Sequence, residues 1–269
     1  MRAALPCLAG ALAPVSAGWA PAAGALAAPS ISGRWVADLA SQKLPEHPDI
    51  YLVANGHYDC RSCSPPRSYA ADGKPHAIPG DEEITSEAVS ELNPRSIRTR
   101  IVSPSLVRET TMTVSADDLR ATYVSLDRRP GVKGVLRTRY IARRVTPGPP
   151  GANRASGSWQ GIAYLEVPKE VRTINLKLRG NRLSYSTPTG VSYSATIGGT
   201  PAKVKGPYAG SMTASVRRLD RLTLVEMRLR DGVALFERTF RLSRDGKSLE
   251  ISTKDEANGT TFVATSHRE

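Results

Sequence analysis

Apolar and polar residues alternate along much of this chain. Ile97, Thr99 and Ile101 are separated by Arg98 and Arg100, Ile174, Leu176 and Leu178 by Asn175 and Lys177, and Leu249 and Ile251 by Glu250. A period of two sends successive side chains to opposite faces of a strand, one toward a core and one toward water. Asp72-Gly73, Asp231-Gly232, Asp245-Gly246 and Asn258-Gly259 fall between such runs and are pairs that favour tight antiparallel reversals. No stretch of about 12 residues carries a helical period. The pattern predicts an all-β protein of short antiparallel strands.

The pattern is also written twice. Ser32-Gly33-Arg34-Trp35 returns as Ser156-Gly157-Ser158-Trp159, and Gly56 matches Gly180. Asp72-Gly73-Lys74-Pro75 aligns with Gly198-Gly199-Thr200-Pro201, and Glu109, Thr111, Val114, Ser115 and Asp117 align with Glu237, Thr239, Leu242, Ser243 and Asp245. Four blocks in one order, at a slowly drifting offset, indicate a duplicated domain. Between the copies, Thr146-Pro147-Gly148-Pro149-Pro150-Gly151 stops both helix and strand. The expected organisation is therefore a β domain over 30–146, a Pro/Gly linker over 147–153 and a second β domain over 154–269. Each would hold about eight strands, closed as a barrel or stacked as a sandwich.

Composition changes the picture at the N-terminus. Residues 1–28 carry one charge, Arg2, in an Ala- and Leu-rich run that ends Ala25-Leu26-Ala27. A basic start, an apolar middle and a small-x-small end are the parts of a secretory signal peptide, with cleavage expected after Ala27. Pro6, Pro14 and Pro21 make the run a poor transmembrane helix, and Cys7 comes too early for a lipid-modified cysteine. Beyond it no stretch is apolar enough to span a membrane, so no transmembrane segment remains after cleavage. The Ala, Arg, Gly and Pro bias suggests a GC-rich bacterial genome, and the expectation is export to the periplasm or outside the cell, of a Gram-negative bacterium.

Export bears on the cysteines. Cys60 and Cys63 are the two left after processing, and an oxidising compartment favours a disulfide. A redox pair would need a helix N-terminus, which Pro65 and Pro66 disfavour, and a zinc site would need more ligands than His57 nearby. The four histidines, His47, His57, His76 and His267, form no motif, and no nucleophile elbow, phosphate-binding loop or metalloprotease signature occurs. No cofactor or metal is expected. Glu109 and Glu237 occupy equivalent places in the two copies. They are candidates for polar anchors inside a cavity, with an outward ion pair as the alternative.

The chain has 37 Lys and Arg against 25 Asp and Glu, a net charge of +12. Arg137 and Arg139 share a strand face, as do Arg228 and Arg230, and Arg217, Arg218 and Arg221 lie near one turn. This reads as a basic surface able to attract anionic glycans or lipid phosphates of the envelope. Nucleic acid is not expected, because no aromatic residues interleave with the basic ones for stacking.

The Gly-x-Trp opening of each copy, Gly33-Arg34-Trp35 and Gly157-Ser158-Trp159, resembles the lipocalin and calycin pattern. The run Tyr58-Asp59-Cys60-x-x-Cys63-x-Pro65-Pro66 is similar to bacterial secreted proteins of lipocalin-like type. That resemblance implies tandem lipocalin-like barrels, with Trp35 and Trp159 plugging the closed ends beside Gly33 and Gly157. It also implies a basic side chain from the last strand across each ring, with Arg139 or Arg143 expected in the first copy and Arg268 in the second. Medium-sized apolar residues such as Ile97, Ile101, Met112, Leu176, Leu178, Leu224 and Phe240 would leave a hollow interior. The expected function is non-enzymatic binding of a small lipophilic ligand. The alternatives are an envelope interaction module and a small barrel enzyme, an isomerase or hydrolase.

Overall fold

The computed structural model of the chain describes residues 30–63, 65–80, 84–206, 209–257 and 259–269; the signal-peptide expectation lies outside the described residues. Nineteen strands follow in order: β1 (Gly33–Ala37), β2 (Asp49–Ala54), β3 (His57–Cys60), β4 (Arg67–Ala70), β5 (Ser86–Asn93), β6 (Ser96–Ser103), β7 (Leu106–Val114), β8 (Arg120–Arg128), β9 (Leu136–Pro147), β10 (Gly157–Glu166), β11 (Thr173–Arg179), β12 (Arg182–Ser186), β13 (Ser192–Thr196), β14 (Ala202–Lys203), β15 (Met212–Arg218), β16 (Thr223–Arg230), β17 (Val233–Leu242), β18 (Ser248–Asp255) and β19 (Thr261–Arg268). One short 3₁₀ turn, Leu39–Ser41, is the only helical element among the described residues. No helix among them is long and apolar enough to cross a membrane.

The strands form two antiparallel sheets, of nine and ten strands against the expected eight each. Each curls into a nearly closed, barrel-like form. Bridges Asp72↔Ser90 and His76↔Glu87 tie the chain after β4 back to β5, and Ser192↔Lys205 and Ile197↔Val216 do the same in the larger sheet. Tight turns set the registers. Asn55-Gly56, both at positive φ, and Gly180-Asn181, with only the glycine at positive φ, close the equivalent β2–β3 and β11–β12 hairpins. The sequence match of Gly56 with Gly180 is thus one residue out of structural register.

The sheets do not coincide with the two sequence copies. The smaller barrel runs β4-β3-β2-β10-β9-β8-β7-β6-β5, and the larger runs β13-β12-β11-β1-β19-β18-β17-β16-β15-β14. The first strand of each copy has therefore been exchanged. β1 lies between β11 and β19, and β10 lies between β2 and β9. Below, the first barrel is the one built mainly from 49–166, and the second the one built from 30–37 and 173–268. The Pro/Gly stretch 147–153 runs from the end of β9 into the connection to β10, within the first barrel. The chain passes between barrels at 38–48 and again at 167–172.

The Ser-Gly-x-Trp motif explains how either strand docks. Ser32 Oγ accepts the Leu178 N–H at 2.8 Å, and Ser156 Oγ accepts the Val53 N–H at 2.9 Å. Gly157 sits at φ 119°, and a Cβ there would lie 2.3 Å from the Thr146 carbonyl oxygen, so that approach requires glycine. Both tryptophans are fully buried. Trp35 Nε1 donates to Ile31 O at 2.9 Å and Trp159 Nε1 to Ala155 O at 2.8 Å. The cation across each ring is Arg268 for Trp35, at 4.7 Å, and Arg144 for Trp159, at 4.0 Å. Arg144 takes the role expected of Arg139 or Arg143, and Arg268 covers the tryptophan of the other copy. Trp159 packs with Val53, Tyr58, Val89, Ile97, Met112 and Tyr123, and Trp35 with Leu176, Leu183, Leu224, Phe240 and Leu249.

Candidate ligand chamber between the barrels

Following each barrel away from its tryptophan, the inner face becomes polar. In β7, Met112 and Val114 are buried, and the same alternation carries Thr110 and Arg108 inward. Register places Arg108 opposite Asp127 of β8, Thr110 opposite Ser125, and Ser125 opposite Thr138 of β9. In the second barrel the apolar stripe Leu242, Phe240 of β17 continues into Arg238 and Phe236, and Leu224 of β16 continues into Glu226 and Arg228. These polar ends meet in one cavity of about 500 Å³. The first barrel supplies Arg108, Ser125, Asp127, Arg129, Thr138, Tyr140 and Tyr164 to its wall; the second supplies Ile174, Tyr185, Thr187, Arg238, Ile251, Thr253, Phe262 and Ala264. Ala37, Gln42, Val167, Val171 and Arg172, on or next to the segments that pass between barrels, complete it. Those segments brace each other: the Ala37 N–H donates to Arg172 O at 2.9 Å, and Arg172 Nη1 donates to Ala37 O at 2.7 Å.

Each barrel places one carboxylate between two guanidiniums. Asp127, 4% exposed, accepts from Arg108 Nε and Nη2 at 2.7 and 2.8 Å and from Arg129 Nη2 at 2.8 Å. Burial alone would raise its pKa, but the bonds from Arg108 and Arg129 outweigh it and hold the carboxyl below the usual aspartate value. Glu226, fully buried, bonds Arg228 Nε and lies 3.5 Å from Arg238 Nη1. Arg238 also donates to Thr253 Oγ1 at 3.2 Å and to Tyr185 OH at 3.3 Å, with Phe236 under its guanidinium at 4.9 Å. Burial opposes its charge, yet Tyr185 and Glu226 beside it push its pKa up. Burial raises the phenols of Tyr140 and Tyr164, which remain neutral donors at pH 7.

The residues singled out in the sequence distribute as follows. Glu109 and Glu237 face outward, Glu109 beside Arg128 and Arg100 at 3.5 and 3.9 Å and Glu237 beside Arg217 at 3.2 Å. Neither lines the chamber, because each is out of phase with the buried Met112 and Phe240 of its own strand. Arg228, expected on the basic surface, is 3% exposed inside the second barrel. Arg137 pairs with Glu166 outside. Arg139, Arg217, Arg218 and Arg221 are exposed, and Arg230 is half-buried. Cys60 and Cys63 form a disulfide across the start of the β3–β4 turn. His57 bonds Ser68 Oγ and His76 bonds Asp72, each at 2.9 Å, while His47 and His267 are exposed. No metal-binding cluster occurs among the described residues.

Missing from the sequence reading were Arg108, Asp127, Arg129, Arg172, Glu226 and Arg238. Several carried a readable signal: a charged residue in phase with the apolar stripe of its strand points inward. Comparison of the chain with protein-family models, curated proteins and solved structures finds no match in any of the three.

Proposed function

We propose that this is an exported, non-enzymatic binding protein that holds a small lipophilic molecule in the chamber between its barrels. The observation that carries the reading is the chamber itself. Its volume of about 500 Å³ lies within the range of small-molecule pockets, roughly 300–1,000 Å³. Its wall combines apolar surface, from Ile174, Val167, Val171, Ile251, Phe262 and Ala264, with a few convergent polar groups. The tryptophan plugs close the other ends, and this compartment is shared by both barrels. Export is supported by the signal-like N-terminus and by the Cys60–Cys63 pairing.

Binding is favoured over catalysis because the chamber's carboxylate, Asp127, is tied to Arg108 and Arg129, which hold it ionised. A general acid or base needs a titratable proton near neutral pH. An envelope-docking role through the outer arginines predicts association with anionic vesicles that fades with salt, whereas chamber binding depends little on salt. The test is uptake of the neutral fluorescent lipophile N-phenyl-1-naphthylamine by the purified full-length protein, and by Thr138→Trp and Ala37→Trp variants that fill the chamber from its two sides. The reading expects saturable uptake by the wild type and its loss in both variants at unchanged melting temperature. No uptake, or equal uptake by the filled variants, would overturn it.

A further inference from the structure

Two guanidiniums that line the chamber carry little carboxylate pairing among the described residues: Arg172 has no ion pair there, and Arg238 has only Glu226, at 3.5 Å. A guanidinium partly withdrawn from water is costly unless a partner neutralises it. The cost falls unevenly. Asp127 binds Arg108 through two bonds and Arg129 through one, and Glu226 bonds Arg228 closely. Arg238 receives only the far oxygen of that carboxylate, at 3.5 Å, and two neutral hydroxyls. Its Nη2 has no hydrogen-bond partner among the described residues, and its side chain is 20% exposed, toward the cavity it lines. Arg172 also lines the chamber, with its Nη1 held by Ala37 O at 2.7 Å and no carboxylate bonded to it among the described residues.

Resting on the chamber reading above, we propose that the ligand is an amphiphile with one anionic head group, a carboxylate or a phosphate monoester, and that Arg238 receives that head on the second-barrel side, with Arg172 as the second donor. A guanidinium presents parallel N–H groups that match two oxygens of one anion. Phe236 and Tyr185 already fix the plane of Arg238, so little ordering is required when the anion arrives. The apolar body then lies along Ile174, Ile251 and Phe262. The outward arginines play no part, because their charges are exposed and screened.

The experiment is calorimetric titration of the full-length protein with dodecanoate, dodecyl phosphate, dodecanol and dodecylamine, ligands of one chain length that differ in the head. Arg238→Met, Arg172→Met and, as an outer-surface control, Arg217→Met are titrated in parallel. The proposal expects both anions to bind the wild type at least about tenfold tighter than dodecanol, with dodecylamine weakest. Arg238→Met should lose about tenfold for the anions while dodecanol is unchanged, and Arg217→Met should behave as wild type. Equal binding of dodecanoate and dodecanol by the wild type overturns the head-group assignment yet leaves the chamber reading standing. That comparison needs no variant to fold. Unchanged anion affinity in a folded Arg238→Met protein removes Arg238 from the role. Absence of binding by all four ligands defeats the chamber reading and the assignment together.

Discussion

Asp127 is the charged side chain that anchors the first barrel's share of the chamber wall. Its oxygens collect three arginine bonds where water barely reaches. Replacing it by asparagine keeps the shape but removes the charge that Arg108 and Arg129 bond, and with Arg108 partly exposed and screened the loss is about 1–2 kcal/mol. Urea denaturation at pH 7 should register that loss for Asp127→Asn. Its pH dependence follows from the direction of the shift. The folded carboxyl titrates below its unfolded value of about 3.9, so its stabilisation is complete above that value and is lost as pH falls through the folded pKa. The gap between wild type and Asp127→Asn should be constant from pH 7 to 5 and should close only below about pH 4. A gap that closed near neutrality would mean the carboxyl is not held ionised by its partners. Nothing in the composition pointed to Asp127; its phase did, since Ala121 and Tyr123 of the same strand are buried on the same side. For Glu109 and Glu237 the outward ion pair, the alternative their sequence left open, is what the structure shows, because equivalence between copies marks a shared position in the fold and not a shared site.

At the scale of elements, strand type and the repeated plug motif were legible, because each depends on local pattern: alternation for Ile97–Ile101 and Ser-Gly-x-Trp for the plug strand. Asp231-Gly232 and Asp245-Gly246 do close hairpins, Asp72-Gly73 lies instead in the long β4–β5 connection, and Asn258-Gly259 falls partly outside the described residues. Which barrel each plug strand joins was not legible. β1 and β10 carry the same motif and offer the same contacts, a serine for a neighbouring N–H and a tryptophan for the core. Either would fit either barrel by pattern alone, so the choice lies in the connections. β9 turns into β10 after nine residues. Within that turn Arg144 donates to the carbonyls of Arg154 and Ser156 at 2.6 and 2.8 Å, and the Asn153 N–H donates to Val53 O at 2.9 Å. That local hairpin claims the site beside β9, and β1 is left the equivalent site in the second barrel. The same argument corrects the plug cations: a search of one sequence copy could not pair Arg268 with Trp35.

At the scale of the molecule, exchange makes the barrels interdependent. Losing the second barrel would release β1 and with it 38–48, which packs on β10 through Gln160 Nε2 to Pro45 O at 2.5 Å. Losing the first would free β10 and the start of 167–172, and with them one wall of the chamber. Scanning calorimetry of the full-length chain should therefore show one cooperative transition at a common temperature; two resolved transitions would mean the barrels unfold separately. Exchange is also what brings the polar mouths together, since each crossing is short and both lie at the chamber. The measurement that reaches this claim most directly is a cysteine cross-link in the monomer. Ala37 lies opposite Ser266 in the exchanged pairing, whereas in a barrel built from contiguous sequence it would take the place that Gly161 holds opposite Ala142. Facing strand residues lie within disulfide reach. An intramolecular bond in Ala37→Cys/Ser266→Cys and none in Ala37→Cys/Ala142→Cys is the predicted result, and the reverse would contradict the account.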